Sequence, residues 1–262
     1  MKLFYTFIFS IISFLAFSQT EFDRPWNDTA RALILDPYSA NFIDFDKIIT
    51  NTRLTAIIHK ASEGLSKDKS YSERKLIAKS KGLLWGSYHL GRSGDPIKQA
   101  DFYLSLIGYD STDVIALDLE DVEDNSFMNI ENAKLFVAHI KQKTGRYPII
   151  YANHKVVKAI SAKFDQTSIF AKCPLWYARF KNKVADFPRK VWKTYSIWQF
   201  TCEINCCQCT QLNSKKECIK RNLTYNDTCP YKGIEGIKCD MDVNIYNGSV
   251  RDLRNAWNKF GK

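Results

Sequence analysis

Residues 114–121 read VIALDLED, an apolar run of strand length that ends abruptly in acidic residues. Alternate residues of a β-strand point to the same face of the sheet, so Asp118 and Glu120 are predicted to share one side. Two neighbouring carboxylates raise each other's proton affinity. The stretch therefore marks either a solvated strand end or a site of acid chemistry, and the segments around it bear on that choice.

Seven further apolar runs of the same kind flank this stretch. They are RALILD (31–36), LTAIIHKA (54–61), LLWGSYHL (83–90), YPIIYA (147–152), PLWYARF (174–180), YSIWQF (195–200) and DMDVNIY (240–246). Helices are predicted between the early runs, at 70–82, at 95–108 behind an Asp95-Pro96 start, and at 129–145 before Gly145. Alternating strands and helices favour parallel pairing with right-handed crossovers.

Eight such strands predict an α/β fold, a distorted TIM-like β/α barrel that closes on itself, since such barrels occupy about 250 residues as one domain. Few helix-like segments follow PLWYARF, and Pro188 interrupts the next one. The second half of the barrel, after strand five, is therefore expected to be irregular. Residues 19–262 are predicted to form this single domain.

The first residues, MKLFYTFIFSIISFLAFSQT, place one lysine before an apolar run that ends in Ala16-Phe17-Ser18. This pattern is typical of a signal peptide, predicted at residues 1–18. An uncleaved membrane anchor is the alternative, but the run is short for a spanning helix. The protein is expected to be secreted, extracellular or lumenal (as in a digestive vacuole), without membrane insertion after cleavage.

The formal net charge is +10, with Lys and Arg spread along the chain. A dedicated nucleic-acid module concentrates its charge on one stripe, so no nucleic-acid partner is expected. A basic secreted protein is attracted over long range to anionic surfaces such as bacterial walls. An ordinary Lys-rich solvated surface explains the charge equally well.

Seven of the eight cysteines lie between Cys202 and Cys239, and Cys173 stands apart. An even count in an exported chain indicates disulfides. The alternative is a metal site at Cys202, Cys206, Cys207 and Cys209, but their spacing matches no familiar zinc pattern. A disulfide-bonded insertion at about 202–239 is therefore predicted, with open connectivity. No phosphate loop or dinucleotide fingerprint occurs, so neither a cofactor nor a metal is expected.

The active site of a β/α barrel is built at the C-terminal ends of its strands. The predicted strand ends carry Asp36; His59, Lys60 and Glu63; Tyr88 and His89; Asp118 and Glu120; Tyr151 and Asn153; Trp176, Tyr177 and Arg179; Trp198 and Gln199; and Asp242 and Asn244. Carboxylates perform acid/base chemistry on glycosides, and aromatic faces stack on sugar rings. This rim predicts a carbohydrate cleft. Neither His59 nor His89 is assigned a catalytic role.

The order of these segments resembles the family 25 glycoside hydrolases, the Chalaropsis-type lysozymes, over about residues 30–257. The resemblance rests on LILDPYSANFIDFDKI, IIHKASEGLSKDKSY, GLLWGSYHLGRSGDPIKQADFYL, VIALDLED, GRYPIIYANH, PLWYARF, IWQFT and DMDVNIYNG. It implies an enzyme, a 1,4-β-N-acetylmuramidase that cleaves between N-acetylmuramic acid and N-acetylglucosamine in peptidoglycan. Such an enzyme is expected to act as a monomer.

Residue roles follow from the resemblance by position. It implies Glu120 as general acid, Asp118 as its catalytic neighbour, and Asp36 and Asp242 as further acids of the cleft. The predicted substrate-binding residues are Tyr88, Tyr151, Trp176, Lys60, Glu63, Arg179 and Gln199. Two segments depart from the family pattern, DPYSANF at the first strand and YHLG at the third, and the cysteine-rich insertion is not a general family feature.

Three mechanisms remain open at this point. Carboxyl groups about 5–5.5 Å apart suit a covalent retaining route, whereas about 6.5–9.5 Å suits inversion through water. The third and favoured route uses the 2-acetamido oxygen of the substrate as nucleophile, oriented or polarised by Asp118. The functional alternatives are a glycan-binding barrel that has lost turnover and a hydrolase of a related N-acetylglucosamine polymer.

Overall fold

The structure, a computed structural model, describes residues 28–108, 110–181, 184–202, 234–238 and 240–262. Nine strands are present in these ranges. They are β1 (Arg31–Leu35), β2 (Leu54–Glu63), β3 (Ser66–Lys67), β4 (Leu84–Leu90), β5 (Val114–Leu119), β6 (Ile149–Asn153), β7 (Leu175–Ala178), β8 (Ile197–Thr201) and β9 (Val243–Ser249). Each of the eight predicted runs overlaps one of these strands, and the short β3 extends β2 as a hairpin.

In the described part of the chain, five helices follow strands β1 to β6, and a sixth follows the last strand. They are α1 (Phe45–Ile48), α2 (Tyr71–Ser80), α3 (Pro96–Ile107), α4 (Ile130–Thr144), α5 (His154–Lys163) and α6 (Val250–Ala256), with 3-10 turns at Ile169–Lys172 and Trp257–Lys259. Local chemistry sets their ends. The Asp95 carboxylate accepts the N–H groups of Ile97 and Lys98 at the start of α3. Gly145 ends α4 in the left-handed conformation that glycine adopts without steric cost.

The sheet closes into an eight-stranded barrel. Its order is β1-β9-β8-β7-β6-β5-β4-β2, and β1 pairs with β2 to complete the ring. All neighbours are parallel except β9, which runs antiparallel to both β8 and β1. The expectation of parallel pairing therefore fails for the last strand. The start of β9 lies beside the C-terminal ends of its neighbours, since Val243 pairs with Leu35 and with Thr201.

Two apolar layers follow from the alternation of side chains along each strand. One layer fills the barrel with small and branched residues, including Ala32, Ile34, Ala56, Ile58, Val114, Ala116, Ile149 and Ile197. The other lies between strands and helices, and includes Leu33, Leu35, Ile57, Leu117 and Ile150. Trp257, whose indole N–H donates to the carbonyl of Trp85 at 3.0 Å, closes the end of the barrel where the parallel strands begin.

The irregular second half is confirmed. The described residues between β7 and β8 form no helix. Aromatic side chains cover the barrel there instead: Phe187 and Tyr195 pack on Tyr177 with ring centroids 5.2 and 5.5 Å away. The Trp192 indole N–H donates to the carbonyl of Cys173 at 3.0 Å. Buried rings thus take the place of a crossover helix.

Several predictions fall outside the described residues. These are the signal peptide at 1–18 and most of the cysteine-rich insertion at 202–239. Within the described part, Cys173 is a free, buried thiol. No helix among the described residues is long and apolar enough to cross a membrane.

Candidate active site

The side chains that face into the barrel turn polar at one end of it. On β1 the inward positions Ala32 and Ile34 lead to Asp36, and on β5 Val114 and Ala116 lead to Asp118. On the other strands, too, every second residue faces inward. The inward positions nearest this end of the barrel are Lys60, Tyr88, Glu120, Tyr151, Asn153, Trp176, Gln199, Asn244 and Asp242. Because β9 is antiparallel, its first residues reach the rim that the other strands reach with their last. Both Asp36 and Asp242 therefore join Asp118 and Glu120.

Asp36 is buried within a network of amide donors. Asn244 Nδ2 donates to one carboxylate oxygen at 2.5 Å, and Gln199 Nε2 donates to the other at 2.7 Å. Burial raises the pKa of Asp36 to about 7, the two amide donors oppose that rise, and the charge of Glu120 adds to it. Asp36 therefore titrates near neutrality.

Gln199 links three of the predicted site residues. Its Nε2 also lies 3.4 Å from Asp242 Oδ2, and its Oε1 accepts a hydrogen bond of 2.8 Å from the Tyr151 hydroxyl. A side-chain amide can donate to a carboxylate through its nitrogen and accept from a phenol through its oxygen at once. Gln199 thus fixes the spacing between β1, β6 and β9 at the floor of the site.

Asp118 is the least satisfied acid of the group. Its side chain is buried, and within the described part of the chain Oδ1 has no hydrogen-bond partner. Burial raises its pKa well above the ordinary value, and the charges of Glu120, Asp36 and Asp242 add to the rise while Lys60 opposes it. A buried acceptor without a donor is costly to the fold. It is the kind of group that a bound substrate N–H or O–H can satisfy.

Glu120 follows β5 directly and is only partly buried. Asn153 Nδ2 donates to its backbone carbonyl at 2.7 Å and thereby fixes the turn that carries it. Burial raises the pKa of Glu120, the positive charge of Arg92 opposes the rise, and Asp121 adds to it. A carboxyl group that holds its proton and reaches solvent is suited to act as a general acid.

The aromatic residues predicted to contact substrate differ in position. Tyr88 and Tyr151 line the inner wall, and repulsion from the acids together with burial raises the pKa of both hydroxyls, burial contributing most. Trp176 is only 1% exposed, and it meets the Tyr151 ring edge-on at 4.9 Å. Its indole N–H donates to Asn244 Oδ1 at 2.5 Å. Trp176 therefore supports the tyrosines from below and offers no open face to a sugar.

Lys60 and Glu63 form a charged row on one flank of the site. Lys60 Nζ lies 3.2 Å from Glu63 Oε2 and 4.8 Å from the centroid of the Tyr38 ring. Glu63 Oε1 accepts a 2.8 Å hydrogen bond from Arg92 Nε, and the guanidinium of Arg92 lies over the Phe127 ring at 4.2 Å. This row runs from the loop after β1 to the loop after β5.

Arg179 is not brought together with the acids. It belongs to the outward set of β7, where its guanidinium pairs with Asp186. Its backbone N–H donates to the carbonyl of Gln199 at 3.0 Å, so its link to the site runs through the main chain. The structure thus places Arg179 behind the rim.

No role in the site was predicted from the sequence for Asn244 or for Arg92. Asn244 holds Asp36 and Trp176 at once, and its position two residues after Asp242 was the available signal. Arg92 had no signal in the sequence, because its relation to Glu120 depends on the contact between two loops. Among the described residues, no group of three His, Cys, Asp or Glu side chains is arranged to hold a metal ion.

A closed β/α barrel whose active rim carries carboxyl groups of raised pKa is an arrangement that can perform acid/base chemistry on glycosides. Residues 36–207 match the model of a family described as Glycosyl hydrolases family 25. The match spans more than half of the chain, and the chain belongs to glycosyl hydrolase family 25. The predicted resemblance to this family is thereby confirmed.

Solved structures share the fold at low sequence identity. A muramidase from Acremonium alcalophilum is 22% identical with a TM-score of 0.65, and the match covers 87% of this chain and 100% of that one. A bacterial lysozyme from Streptomyces coelicolor is 20% identical with a TM-score of 0.62, covering 88% and 99%. The uncharacterized protein YegX of Escherichia coli is 24% identical over 208 residues. That match takes in 77% of this chain and 62% of the length of YegX.

Proposed function

We propose that the protein is a secreted lysozyme that hydrolyses the β-1,4 bond between N-acetylmuramic acid and N-acetylglucosamine in bacterial peptidoglycan. The observation that carries this proposal is the pair at the end of β5. Asp118 presents a buried acceptor without a partner among the described residues, and Glu120 beside it holds a proton more tightly than usual. Membership of family 25 and the net charge of +10, which favours approach to anionic walls, support the proposal.

Glu120 acts as the general acid of the reaction. It donates its proton to the glycosidic oxygen as the bond from that oxygen to the anomeric carbon breaks, so that the sugar leaves as an alcohol. Burial favours the protonated form of Glu120, because burial disfavours the charged carboxylate.

Asp118 acts on the 2-acetamido group of the substrate in this proposal. Its free Oδ1 accepts the amide N–H, which orients the amide oxygen toward the anomeric carbon. The oxygen forms a bond to that carbon as the leaving group departs. Water then opens the resulting ring, delivering hydroxide to the anomeric carbon and a proton to the Glu120 carboxylate. The acid is thus restored, and atoms and charge balance over the two steps.

The remaining site residues hold this pair and the substrate. Tyr88, Tyr151, Lys60 and Glu63 line the walls and bind the glycan strand. Asp36 and Asp242 place two further carboxyl groups at the rim, and the ionised form of such a group stabilises the positive charge that develops on the sugar in the transition state. The protein acts as a monomer outside the cytoplasm.

Hydrolysis of purified bacterial walls tests the proposal. Wild-type protein is expected to reduce the turbidity of a wall suspension and to release reducing ends, whereas Glu120→Gln is expected to do neither. Glu123→Gln serves as the matched control, because Glu123 lies on the following loop and pairs with Lys155 at the surface. Wild-type protein that sediments with walls and releases no reducing ends would indicate a glycan-binding barrel instead.

A further inference from the structure

Arg92 lies where the chain leaves the barrel after β4. The backbone N–H of Gly91 donates to the carbonyl of Asp118 at 3.0 Å, and the Gly91 carbonyl accepts from Met128 N–H at 3.1 Å. Arg92 itself forms an isolated antiparallel bridge with Phe127. The segment that carries Arg92 is therefore held between the end of β5 and the loop that follows Glu120.

Three groups fix the Arg92 side chain and its backbone. Glu63 Oε1 accepts from both Nε and Nη2, at 2.8 and 2.5 Å, and the Phe127 ring packs against the guanidinium plane. Gln99 accepts the Arg92 N–H at 3.0 Å and donates to its carbonyl at 2.8 Å. A long, flexible side chain loses its freedom in such a setting, so the charge stays in one place.

Apart from Arg92, the ionisable groups around Glu120 are carboxyl groups and phenols. The ionisable groups around it are Asp118 on its own strand, Asp36 from β1, Asp121 from the following loop, Tyr88 from β4 and Tyr151 from β6, with Asp242 beyond Asp118. Two nearby cations interact with other acids. The charge of Lys60 lowers the pKa of Asp118, and Lys155 forms ion pairs with Asp121 and Glu123 at the surface. Arg92 is the described cation whose field acts on Glu120.

We propose that Arg92 is a positioning residue for Glu120: Gln99 fixes its backbone, and Glu63 and Phe127 fix its guanidinium beside the barrel mouth, where its charge acts on the proton donor without touching substrate. A general acid works best when it holds its proton in the resting enzyme and still releases it readily. Burial supplies the first property, and the fixed charge of Arg92 supplies the second. This inference rests on Glu120 being the proton donor of the proposed function.

Titration of the carboxyl carbon of Glu120 by 13C NMR tests the inference directly. Protein labelled at glutamate is compared as wild type, Arg92→Gln, Arg92→Lys and Lys98→Gln, and the signal absent from Glu120→Gln assigns the resonance. Arg92→Gln is expected to raise the midpoint of Glu120 by about 0.5–1 pH unit, less than a direct ion pair gives because the guanidinium is shared with Glu63. Lys98, an exposed cation on α3, is expected to leave it unchanged.

Arg92→Lys keeps the charge but loses the two-pronged contact to Glu63. Its midpoint is expected between those of wild type and Arg92→Gln, so it tests the inference even where the glutamine variant folds poorly. In the kinetic profile, the alkaline limb of kcat/KM is expected to move upward with the NMR midpoint, at unchanged KM.

Two results would overturn the inference. One is an unchanged Glu120 midpoint in both Arg92 variants. The other is a higher KM with a fixed alkaline limb, which would make Arg92 a substrate contact. Failure of the proposed function is distinguishable, because wild type would then release no reducing ends while the NMR titration still reports on Arg92 and Glu120.

Discussion

Two groups of polar side chains lie on opposite faces of the barrel sheet. The inward group contains Asp36, Asp118 and Glu120, and the outward group contains His59 and His89, which lie between barrel and helices. His89 contacts Ser62 Oγ at 2.8 Å and Gln99 Oε1 at 3.1 Å through its two ring nitrogens. His59 contacts the carbonyl of Lys60 at 2.7 Å and Arg74 Nη1 at 3.2 Å.

The two groups differ in how completely their buried polar atoms are hydrogen-bonded. Burial lowers the pKa of both histidines to about 4, so they are neutral, and every ring nitrogen has a partner. Burial raises the pKa values of the inward acids, and Asp118 Oδ1 has no partner in the described part of the chain. Buried polar groups whose hydrogen bonds are all satisfied stabilise a fold, whereas an unsatisfied one is a candidate for binding a ligand. The difference separates structure from function more clearly than residue type does.

The largest effect is expected from removing the proton donor. Glu120→Gln keeps the shape of the side chain but has no proton of suitable acidity, so kcat is expected to fall by about 10²- to 10⁴-fold. Steady-state hydrolysis of soluble peptidoglycan fragments measures this change, with Glu123→Gln as control. A loss of less than threefold would remove Glu120 from the role of general acid.

A smaller loss of activity, coupled to a gain in stability, is expected for Asp118→Asn. Loss of the carboxyl group that orients the substrate amide is expected to lower kcat by about 10²-fold. Because folding raises the pKa of Asp118 above 3.8, its contribution to stability is neutral below that pH. It becomes unfavourable as pH rises and the unfolded chain releases the proton.

The neutral asparagine removes this cost, so the Tm difference between Asp118→Asn and wild type is expected to grow from about pH 4 to pH 7. Thermal melts across that range measure it. Asp121→Asn is the matched control, because backbone hydrogen bonds lower the pKa of Asp121 and no gain is expected there. A Tm difference for Asp118→Asn that does not change with pH would contradict the conclusion that folding raises the pKa of this acid.

Asn244→Ala is expected to act chiefly on stability. It leaves Asp36 Oδ1, the Trp176 indole N–H and the Ile34 carbonyl without their amide partner. Unpaired buried groups cost roughly 1–3 kcal/mol each, so the free energy of unfolding is expected to fall by roughly 2–4 kcal/mol after relaxation. Urea unfolding measures the change. A cost below that of Asn247→Ala, a half-exposed position on the same strand, would show that the network is dispensable.

The smallest effect on activity is expected for His89→Phe. The ring still stacks on Phe136, whose centroid lies 5.1 Å away, but Ser62 and Gln99 each lose a partner. Stability is expected to fall by roughly 1–3 kcal/mol, whereas kcat per folded molecule stays within about threefold. A loss of activity as large as that of Asp118→Asn would erase the distinction between the two polar groups.

Much of the barrel was predictable from the sequence because each strand is a compact apolar run. Helices α3 and α4 were equally plain, since Asp95 and Asn129 cap their starts and glycines follow their ends. The direction of β9 was not predictable. An antiparallel last strand reads like a parallel one, and the segment before it resembles no helix.

The site was only partly predictable. The acids stand at strand ends, and the step of two residues from Ala116 to Asp118 shows which face they share. The burial of Trp176 and the pairing of Arg179 with Asp186 depend on loops and on neighbouring strands. The relation of Arg92 to Glu120 likewise depends on hydrogen bonds between residues 91–93 and 126–128.

Identification of the sugar at each newly formed chain end tests the central claim most directly. Purified peptidoglycan is digested, reduced with borohydride and analysed by mass spectrometry. The account predicts reduced N-acetylmuramic acid at the new ends with wild-type protein, and none above background with Glu120→Gln. Reduced N-acetylglucosamine at those ends, or equal yields from both proteins, would contradict it.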